Sequence, residues 1–362
     1  MTASSGLILG VESSCDETAV AIVRDGRRIV ANVVASQVAL HSATGGIVPE
    51  VAARAHLRWM IPVLDEARRQ AGLAGWSALE AIAVTEGPGL AGSLLVGITM
   101  AKTLAWLEHL PLVPVNHLEG HIYAAWLLDP DEPHKPAPEF PIVALVVSGG
   151  HTFLVEMADQ LSYRLLGQTV DDAAGEAFDK VGRLLGLPYP GGPAIQKAAE
   201  GAVQRDRRFP RAWLGDTFDF SFSGLKTAAR REVARELGAD PDVGPTEGDG
   251  RLPPSSVAEL AYGFQDSVVD VLASKTTRAA QEAGARTIIL GGGVAANSVL
   301  RERVAQGAAS LGLPLVVPRP GLCTDNASMI AAAGFFRARA GARADDRLAA
   351  RPSLKLAVPE PV

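Results

Sequence analysis

The feature that most constrains the fold is a strand–turn–strand pattern that occurs twice. The stretch "LILGVESSCDETAVAIV" (7–23) places an apolar run, a turn of small and polar residues, and a second apolar run in succession. The stretch "IVALVVSGGHTFLVEM" (142–157) repeats this order with different residues. Short apolar runs bounded by turn residues are typical of buried strands. We therefore predict an internal duplication in which each copy opens a lobe of its own.

Strands and helices alternate after the first copy. The buried strand "AIAVTEG" precedes an apolar helix, "SLLVGITMAKTLAWLEH", and the strand "PLVPVNH" follows it. This order predicts an α/β lobe with a partly parallel sheet. A chain of 362 residues that is 48% hydrophobic can fill two such cores.

The lobes are assigned from breaks in the pattern. We predict a first lobe from residues 1–127 plus 322–345 and a second lobe from 128–321. The stretch 238–256 is rich in Gly, Pro and acidic residues, which favours a mobile insertion. The segment 346–362 has little apolar periodicity and is predicted to be a flexible tail.

Composition narrows the class of protein. Two cysteines exclude a disulfide scaffold. The N-terminus has no basic region or apolar run typical of a signal peptide, and no stretch approaches the roughly 18 apolar residues of a membrane span. A net charge of −6 argues against a stand-alone nucleic-acid binder but allows a local basic patch. We expect a soluble, cytoplasmic protein that does not bind membranes.

Several glycine-rich turns follow apolar strands. "GVESSCDET", "VSGGHT" and "LGGGVAAN" could each bring backbone N–H groups to an anion, although any one of them could be a plain tight turn. Together they predict a nucleotide in a cleft between two similar lobes. "EGPGLAGS" formally matches G-x-G-x-x-G, but the next strand ends in Asn116 and His117 instead of an acidic residue, which disfavours a dinucleotide site. No P-loop motif is present.

The stretch "HLEGH" indicates half of a metal site. On a helix, His117 and His121 share one face, as a divalent metal requires. Zinc proteases use H-E-x-x-H, whereas Glu119 is two residues after His117, roughly 200° around the helix. Asp325 in "CTDNASMI" is the candidate third ligand, with a simple helix N-cap as the alternative. Two imidazoles and a carboxylate suit Fe(II) or Zn.

Other polar clusters have two interpretations each. Asp172, Glu176 and Asp179 have helical spacing and could form a ligand-contacting edge or a solvated stripe. Residues 205–211 and the basic side chains after 225 could bind a phosphate backbone or could face solvent.

At this point the motifs resemble a known family, the bacterial tRNA N6-adenosine threonylcarbamoyltransferases, once described as O-sialoglycoprotein endopeptidases. The resemblance runs from about residue 7 to 340. It is carried by "GVESSCDETAVAIV", "GGIVPEVAARAH", "HLEGH", "VSGGHT", "DDAAGEAFDKVGRLLGLPYPGGP", "FSFSGLKTA", "GGGVAAN" and "CTDNASMIAA". It implies a two-lobed actin/Hsp70/sugar-kinase-like fold with duplicated mixed sheets. It also implies transfer of a threonylcarbamoyl group from threonylcarbamoyl-adenylate to N6 of the adenosine 3′ of the anticodon, in tRNAs that read ANN codons, with release of AMP.

The resemblance also implies site residues. His117, His121 and Asp325 match the metal ligands of the family, implying one divalent metal per subunit, Fe2+ or alternatively Zn2+. The substrate-binding positions that match are Val146, Val147, Ser148, Gly149, Gly150, Asp179, Gly192 and Asn297. Glu12 and His151 are our hypotheses for residues that assist proton removal, because both lie in glycine turns.

The implied partners are tRNA, a pseudo-enzyme paralogue and a small P-loop ATPase. We expect the paralogue to dock on a first-lobe helix at about 50–71. Three alternatives are a metalloendopeptidase, a carbohydrate or acetate kinase, and a non-enzymatic nucleotide-binding subunit. The misplaced Glu119 weakens the first. The kinase would need a catalytic aspartate and a sugar pocket, and the complete His117, His121 and Asp325 set argues against the last.

Overall fold

The computed structural model describes residues 6–42, 46–242 and 251–356, which cluster into two compact units. The first contains the described residues up to Pro138, the segment Asp159–Tyr163, and the described residues from Pro318 onward. The second contains Glu139–Ala158 and Arg164–Val317. These boundaries lie after 138 and before 318, whereas the sequence suggested 127 and 322.

The first unit contains a five-stranded sheet and six helices among its described residues. Its strands are β1 (Leu7–Glu12), β2 (Glu17–Arg24), β3 (Arg28–Ser36), β4 (Ala81–Gly87) and β5 (Leu112–Asn116). Its helices are α1 (Val38–Ser42), α2 (Pro49–Gln70), α3 (Ala91–Glu108), α4 (His117–Tyr123) and, after the second unit, α10 (Pro320–Cys323) and α11 (Ala327–Arg339).

The second unit carries the other sheet and five helices. Its strands are β6 (Ile142–Val147), β7 (Thr152–Asp159), β8 (Ser162–Gln168), β9 (Thr287–Gly291) and β10 (Leu315–Val316). Its helices are α5 (Ala174–Leu184), α6 (Gly191–Glu200), α7 (Ser223–Leu237), α8 (Pro254–Glu282) and α9 (Ser298–Ser310).

The two sheets have the same topology. The first sheet has the strand order β3-β2-β1-β4-β5. When the second sheet is read so that its opening strand β6 takes the place of β1, its order is β8-β7-β6-β9-β10. In both, the opening strand pairs antiparallel with the next strand and parallel with a later one. The register of the hairpins is regular, with Glu12 opposite Ala19 and Val147 opposite Thr152. The repeated topology matches the duplication that the strand–turn–strand pattern predicts.

Side chains of β1 alternate between the two faces of the first sheet, and helices pack against both faces. Leu7, Leu9 and Val11 pack in one buried cluster with apolar residues of α2 and α3. Gly10 points to the opposite face, where a Cβ would lie 3.0 Å from the Cβ of Ala331 on α11. Because α11 crosses β1 and β4 so closely, the residues just before it lie near the carboxyl end of β1.

Two predictions from composition have different outcomes. The tail predicted from 346 is docked as far as the structure describes it. Leu348 and Ala350 pack against the first core, and backbone groups of Arg351 and Pro352 hydrogen-bond to the loop after β4. Backbone hydrogen bonds of this kind leave no pattern of apolar side chains, so composition gave no sign of them.

Within the predicted insertion, residues 243–250 lie outside the described residues, and α8 already begins at Pro254.

Among the residues that the structure describes, no helix has the length and hydropathy needed to cross a bilayer.

Candidate metal centre and nucleotide-binding turns

Helix α4 presents its two histidines at one place in the first unit. It begins directly after β5, and the side-chain oxygen of Asn116 caps it by accepting from the amide of Leu118 at 2.9 Å. The rings of His117 and His121 lie edge to face with their centroids 4.7 Å apart. Both side chains are buried. The helical i, i+4 spacing that the sequence indicated is therefore confirmed.

Asp325 joins the two histidines from the far end of the chain. Its Oδ1 lies 3.3 Å from Nε2 of His121 and 3.5 Å from Nε2 of His117. The alternative interpretation of Asp325 as an N-cap is wrong, because the cap of α11 is Asn326, whose side chain accepts from the amide of Met329. The carboxylate is therefore placed at the two imidazoles and not at the helix end.

The group fits a divalent metal ion. Its three ligand atoms all lie within 4.8 Å of one another. Both ring nitrogens of His121 are buried, and neither makes a hydrogen bond with the described part of the chain. A buried imidazole in that condition is costly unless a ligand satisfies it. Two nitrogens and one carboxylate form a donor set that suits Fe(II) or Zn.

Glu12 is fully buried at the end of β1 and orients His117. Its Oε2 lies 3.0 Å from Nδ1 of His117 and accepts from the hydroxyl of Thr85 at 2.7 Å. Its Oε1 accepts from the amide of Ser14. When Nδ1 donates to this carboxylate and Nε2 is unprotonated, Nε2 of His117 can offer its lone pair to a metal, as metal-binding histidines do.

The electrostatics of Glu12 oppose its hypothetical role as a base. Burial by itself would raise the pKa of Glu12, but the interaction with His117 outweighs burial and lowers it. Burial by itself would lower the pKa of His117, but the carboxylates of Asp325 and Glu12 raise it to about 9. A carboxylate with a lowered pKa and three hydrogen-bond donors is placed to hold a ring and poorly suited to accept a substrate proton.

Glu119 is directed away from this group. Its Oε1 accepts from the hydroxyl of Tyr163 at 2.8 Å, and its Oε2 lies 2.8 Å from Nη1 of Arg337. The helical geometry had already separated it from His117 and His121. Since both oxygens are occupied, Glu119 cannot polarise water at the metal ligands, which excludes zinc-protease chemistry of the H-E-x-x-H type.

The loop between β1 and β2 is held beside the histidines by groups that the sequence did not indicate. Ser14 Oγ lies 3.1 Å from Nδ1 of His117, and the carbonyl of Ser14 accepts from the amide of Leu90 at 2.7 Å. Nε2 of His56 lies 2.9 Å from the carbonyl of Cys15. The signal available was a histidine inside an otherwise apolar helical face, in "AARAHLRW", which spacing alone cannot assign to a partner.

The second unit carries the turn that follows β6. Val146 and Val147 are fully buried, so only their backbone can contact a ligand. The amide of Ser148 donates to the carbonyl of His151 at 2.8 Å, which closes the turn. Gly149 and Gly150 at its tip are exposed, and the structure places no described atom within 4 Å of a Cβ at either position.

Three further segments of the second unit adjoin this turn. Gly292 has a φ of 84°, and a Cβ there would lie 2.4 Å from the carbonyl oxygen of Val147. Asn297 follows on the same turn, with its Nδ2 donating to Gln265 at 2.8 Å and its Oδ1 capping α9. Asp179 accepts from the amide of Gly191 at 2.7 Å, which joins α5 to the start of α6 beside Gly192. The matched substrate-binding positions are thus neighbouring segments of one unit.

The structure changes two interpretations that the sequence suggested for residues of the second unit. Asp172 precedes α5, and both Asp172 and Glu176 pair with Lys180, so the three carboxylates do not share a ligand-binding face. Three arginines of the candidate basic group form ion pairs with carboxylates. Arg207 pairs with Glu232, Arg211 with Asp266 and Asp270, and Arg231 with Asp242. These arginines therefore offer little charge to a phosphate backbone.

Duplicated sheets of this order, with glycine turns after their opening strands and a His-His-Asp group, define an α/β protein of two similar units with a candidate metal centre. Solved structures agree on the fold. HypF from T. kodakarensis matches with a TM-score of 0.57 at 14% identity, over 92% of this chain and 48% of that chain. The activator of 2-hydroxyisocaproyl-CoA dehydratase from Clostridium difficile matches with a TM-score of 0.50 at 14% identity, over 92% and 96%. The actin/sugar-kinase-like fold implied by the sequence is thereby confirmed.

The family model for tRNA N6-adenosine threonylcarbamoyltransferase matches residues 28–332. A curated protein of that name from Thermomicrobium roseum is 56% identical over 350 residues, covering 94% of each chain. Another from Symbiobacterium thermophilum is 51% identical over 355 residues, covering 98% of each. The chain belongs to the tRNA N6-adenosine threonylcarbamoyltransferase family and is a transferase that modifies tRNA.

Proposed function

We propose that this chain transfers the threonylcarbamoyl group of threonylcarbamoyl-adenylate to N6 of the adenosine 3′ of the anticodon in tRNAs that read ANN codons. The amine attacks the carbamoyl carbon, the bond from that carbon to the phosphate oxygen breaks, and AMP and a proton are released. The observation that carries this proposal is the group of two buried histidines, His117 and His121, with the half-buried Asp325 in a chain of this family. We expect the reaction to take place in the cytoplasm.

A divalent ion held by these ligands, Fe2+ or alternatively Zn2+, would act as a Lewis acid that stabilises charge on phosphate or carbamoyl oxygens. Glu12 keeps the proton of His117 on Nδ1, so that Nε2 stays available as a ligand atom. The loop of Ser13–Asp16 is fixed by His56 and Leu90, which limits movement of the His117 ring. These residues together supply a preorganised site that needs no nucleophile of its own, because the donor is already activated.

In the second unit, the exposed tip of the turn after β6, Gly149 and Gly150, provides backbone N–H groups for the adenylate phosphate. The side chain of Asn297 is held by Gln265 and that of Asp179 by the amide of Gly191, and we assign both to the adenylate hydroxyls or base. His151 remains our candidate for accepting the N6 proton. A single-turnover transfer rate unchanged by His151→Ala would remove it.

The partners are proposed from a surface of the first unit. Leu57, Trp59 and Ile61 on α2 are between 49% and 68% exposed, and Leu95, Trp106 and Leu107 on α3 are between 58% and 78% exposed. These six exposed apolar side chains lie on two helices that pack together, and we take the exposed surface of the two helices as one candidate docking face. We assign this face to the pseudo-enzyme paralogue, and we expect the small P-loop ATPase to join the same assembly. Leu57→Glu should abolish a pull-down that Arg54→Glu preserves.

The test of the activity uses tRNA itself. Cells depleted of this protein should lose N6-threonylcarbamoyladenosine from digested tRNA, as measured by mass spectrometry, and the intact gene should restore it. Complementation with an Asp325→Ala variant should fail. Normal levels of the nucleoside after depletion would refute the assignment.

A further inference from the structure

The last described segment of the chain, residues 351–355, lies against the loop that joins β4 to α3. The amide of Arg351 donates to the carbonyl of Glu86 at 2.8 Å, and the amide of Gly89 donates to the carbonyl of Pro352 at 3.1 Å. The approach is close, because a Cβ on Gly87 would lie 1.9 Å from the carbonyl oxygen of Arg351. Backbone hydrogen bonds therefore hold this segment in a defined position on the first unit.

The same segment reaches the helix that carries the histidines. The carbonyl of Lys355 accepts from Nδ2 of Asn116 at 2.9 Å. The other end of that amide, Oδ1, accepts from the amide of Leu118 and caps α4. Asn116 is 5% exposed, so water cannot readily replace either partner. One side chain thus connects the C-terminal segment to the first turn of α4, next to His117.

A second connection runs through the loop after β4. The segment holds Gly89, and the adjoining Leu90 donates its amide to the carbonyl of Ser14 at 2.7 Å. The hydroxyl of Ser14 in turn lies 3.1 Å from Nδ1 of His117. The first connection therefore ends at the first turn of α4 and the second at the ring of His117. Residues 351–355 lie beyond the 28–332 region that matches the family model.

We propose that residues 351–355 position the metal centre by fixing the amide of Asn116 and the loop of residues 86–89. Helix α4 has only seven residues, and a helix this short depends on contacts at its ends. Without Lys355, the amide of Asn116 loses the partner that sets its orientation, and the cap of α4 weakens. The inference rests on the metal binding proposed above and extends it to a segment outside the matched region.

The test compares three purified, metal-free chains: the full chain, a chain that ends at residue 356, and a chain that ends at residue 350. Affinity for Co2+ is followed by visible absorption, and hydrogen exchange is measured for the amides of α4. The chain ending at 356 should behave as the full chain does. The chain ending at 350 should bind Co2+ about tenfold to a hundredfold more weakly, since losses of that size follow removal of groups that orient metal ligands. Its α4 amides should exchange at least about tenfold faster before any metal is added.

A point variant keeps the test decisive if the shorter chain does not fold. Asn116→Ser retains an oxygen that can cap α4 but removes the amide nitrogen that donates to Lys355. It should reproduce the part of the loss in Co2+ affinity that passes through Asn116, and shortening the chain in that background should add only the part that passes through residues 86–89. Wild-type exchange and Co2+ affinity in a folded Asn116→Ser variant would overturn the proposal. Absence of Co2+ binding by the full chain would instead refute the metal site itself.

Discussion

The guanidinium of Arg337 lies 2.8 Å from the carboxylate of Glu119 and joins α11 to α4. The carboxylate is 1% exposed and also accepts from Tyr163. Burial raises the pKa of Glu119, while Arg337 and Tyr163 act against this rise. The glutamate that makes "HLEGH" look like a protease motif is therefore a structural group that fixes the helix carrying the metal ligands.

Replacing Arg337 should destabilise the protein. Arg337→Ala leaves a buried carboxylate with the hydroxyl of Tyr163 as its remaining hydrogen-bond donor among the described residues, and breaking a buried ion pair costs about 3–5 kcal/mol. We expect about 3 kcal/mol in urea unfolding because Tyr163 remains. Arg339→Ala is the matched control: Arg339 pairs with Glu80 at 3.2 Å, its side chain is 49% exposed, and such pairs contribute about 1 kcal/mol or less. Equal losses for the two variants would contradict the structural role of Glu119.

Removing one metal ligand should remove the metal and the activity together. His121→Ala and Asp325→Ala should bring metal content close to zero by elemental analysis, and single-turnover transfer should fall by about 100-fold or more. His134→Ala, in an exposed loop, is the control and should keep both. Full metal content in either ligand variant would place the ion elsewhere.

Glu12→Gln should weaken metal binding without unfolding the chain. The amide nitrogen cannot accept from Ser14 or from Nδ1–H of His117, so the ring loses its fixed tautomer. We expect Co2+ affinity to fall about 10- to 100-fold in a titration. Glu50→Gln, whose side chain is 75% exposed on α2, should bind as the wild type does. If Glu12 acted only as a base, transfer would fall while Co2+ affinity stayed unchanged.

The metal-free protein should lose stability as the pH rises toward 8. Burial, and then the neighbouring Asp16, raise the pKa of Glu17 to about 8, above its ordinary value of 4.5. Between these values the folded state binds the proton more tightly than the unfolded state, so the stability that Glu17 contributes is full below pH 4.5 and is lost as the pH rises from 4.5 to 8.

Glu17→Gln is the variant that isolates this effect. Between pH 5 and 8.5 the free energy of unfolding of this variant should fall by about 2 kcal/mol less than that of the wild type, as measured by urea midpoints. A decline of the same size in both proteins would assign the pH dependence to other groups.

Gly292→Ala should damage the nucleotide-binding turn. The added Cβ would meet the carbonyl of Val147 at 2.4 Å, and φ there is 84°. We expect a destabilisation of about 3 kcal/mol or more and weaker AMP binding by calorimetry. Gly312→Ala has a similar φ of 68°, but no described atom lies within 4 Å of the Cβ, so it should cost only about 1 kcal/mol and preserve AMP binding.

Local periodicity explains what the sequence could predict at the site. His117 and His121 have a spacing that only a helix brings onto one face, and the short polar turns after apolar strands marked both opening hairpins. The residues offered Asp325 as a candidate third ligand, but its own neighbourhood is equally typical of a helix cap, and the family resemblance supported the ligand interpretation. These features are local in the sequence, so they can be recognised without knowing which strands and helices pack together.

Other parts depended on which strands lie side by side. Glu12 meets His117 because β4 lies between β1 and β5 in the sheet, an order that periodicity does not contain. Asp172 does not lie on the helix face predicted for it, because α5 begins only at Ala174. The docked segment 351–355 is held mainly by backbone groups, which every sequence carries alike.

The candidate metal centre combines residues that are separated in sequence by the second unit. His117 and His121 precede that unit in the chain, and Asp325 follows it. Domains emerge from the ribosome in order, and the first sheet can begin to form early. The third ligand is translated only after the second unit is complete. A nascent or prematurely terminated chain therefore has histidines but no closed centre, so completion of synthesis is a precondition for acquiring the metal.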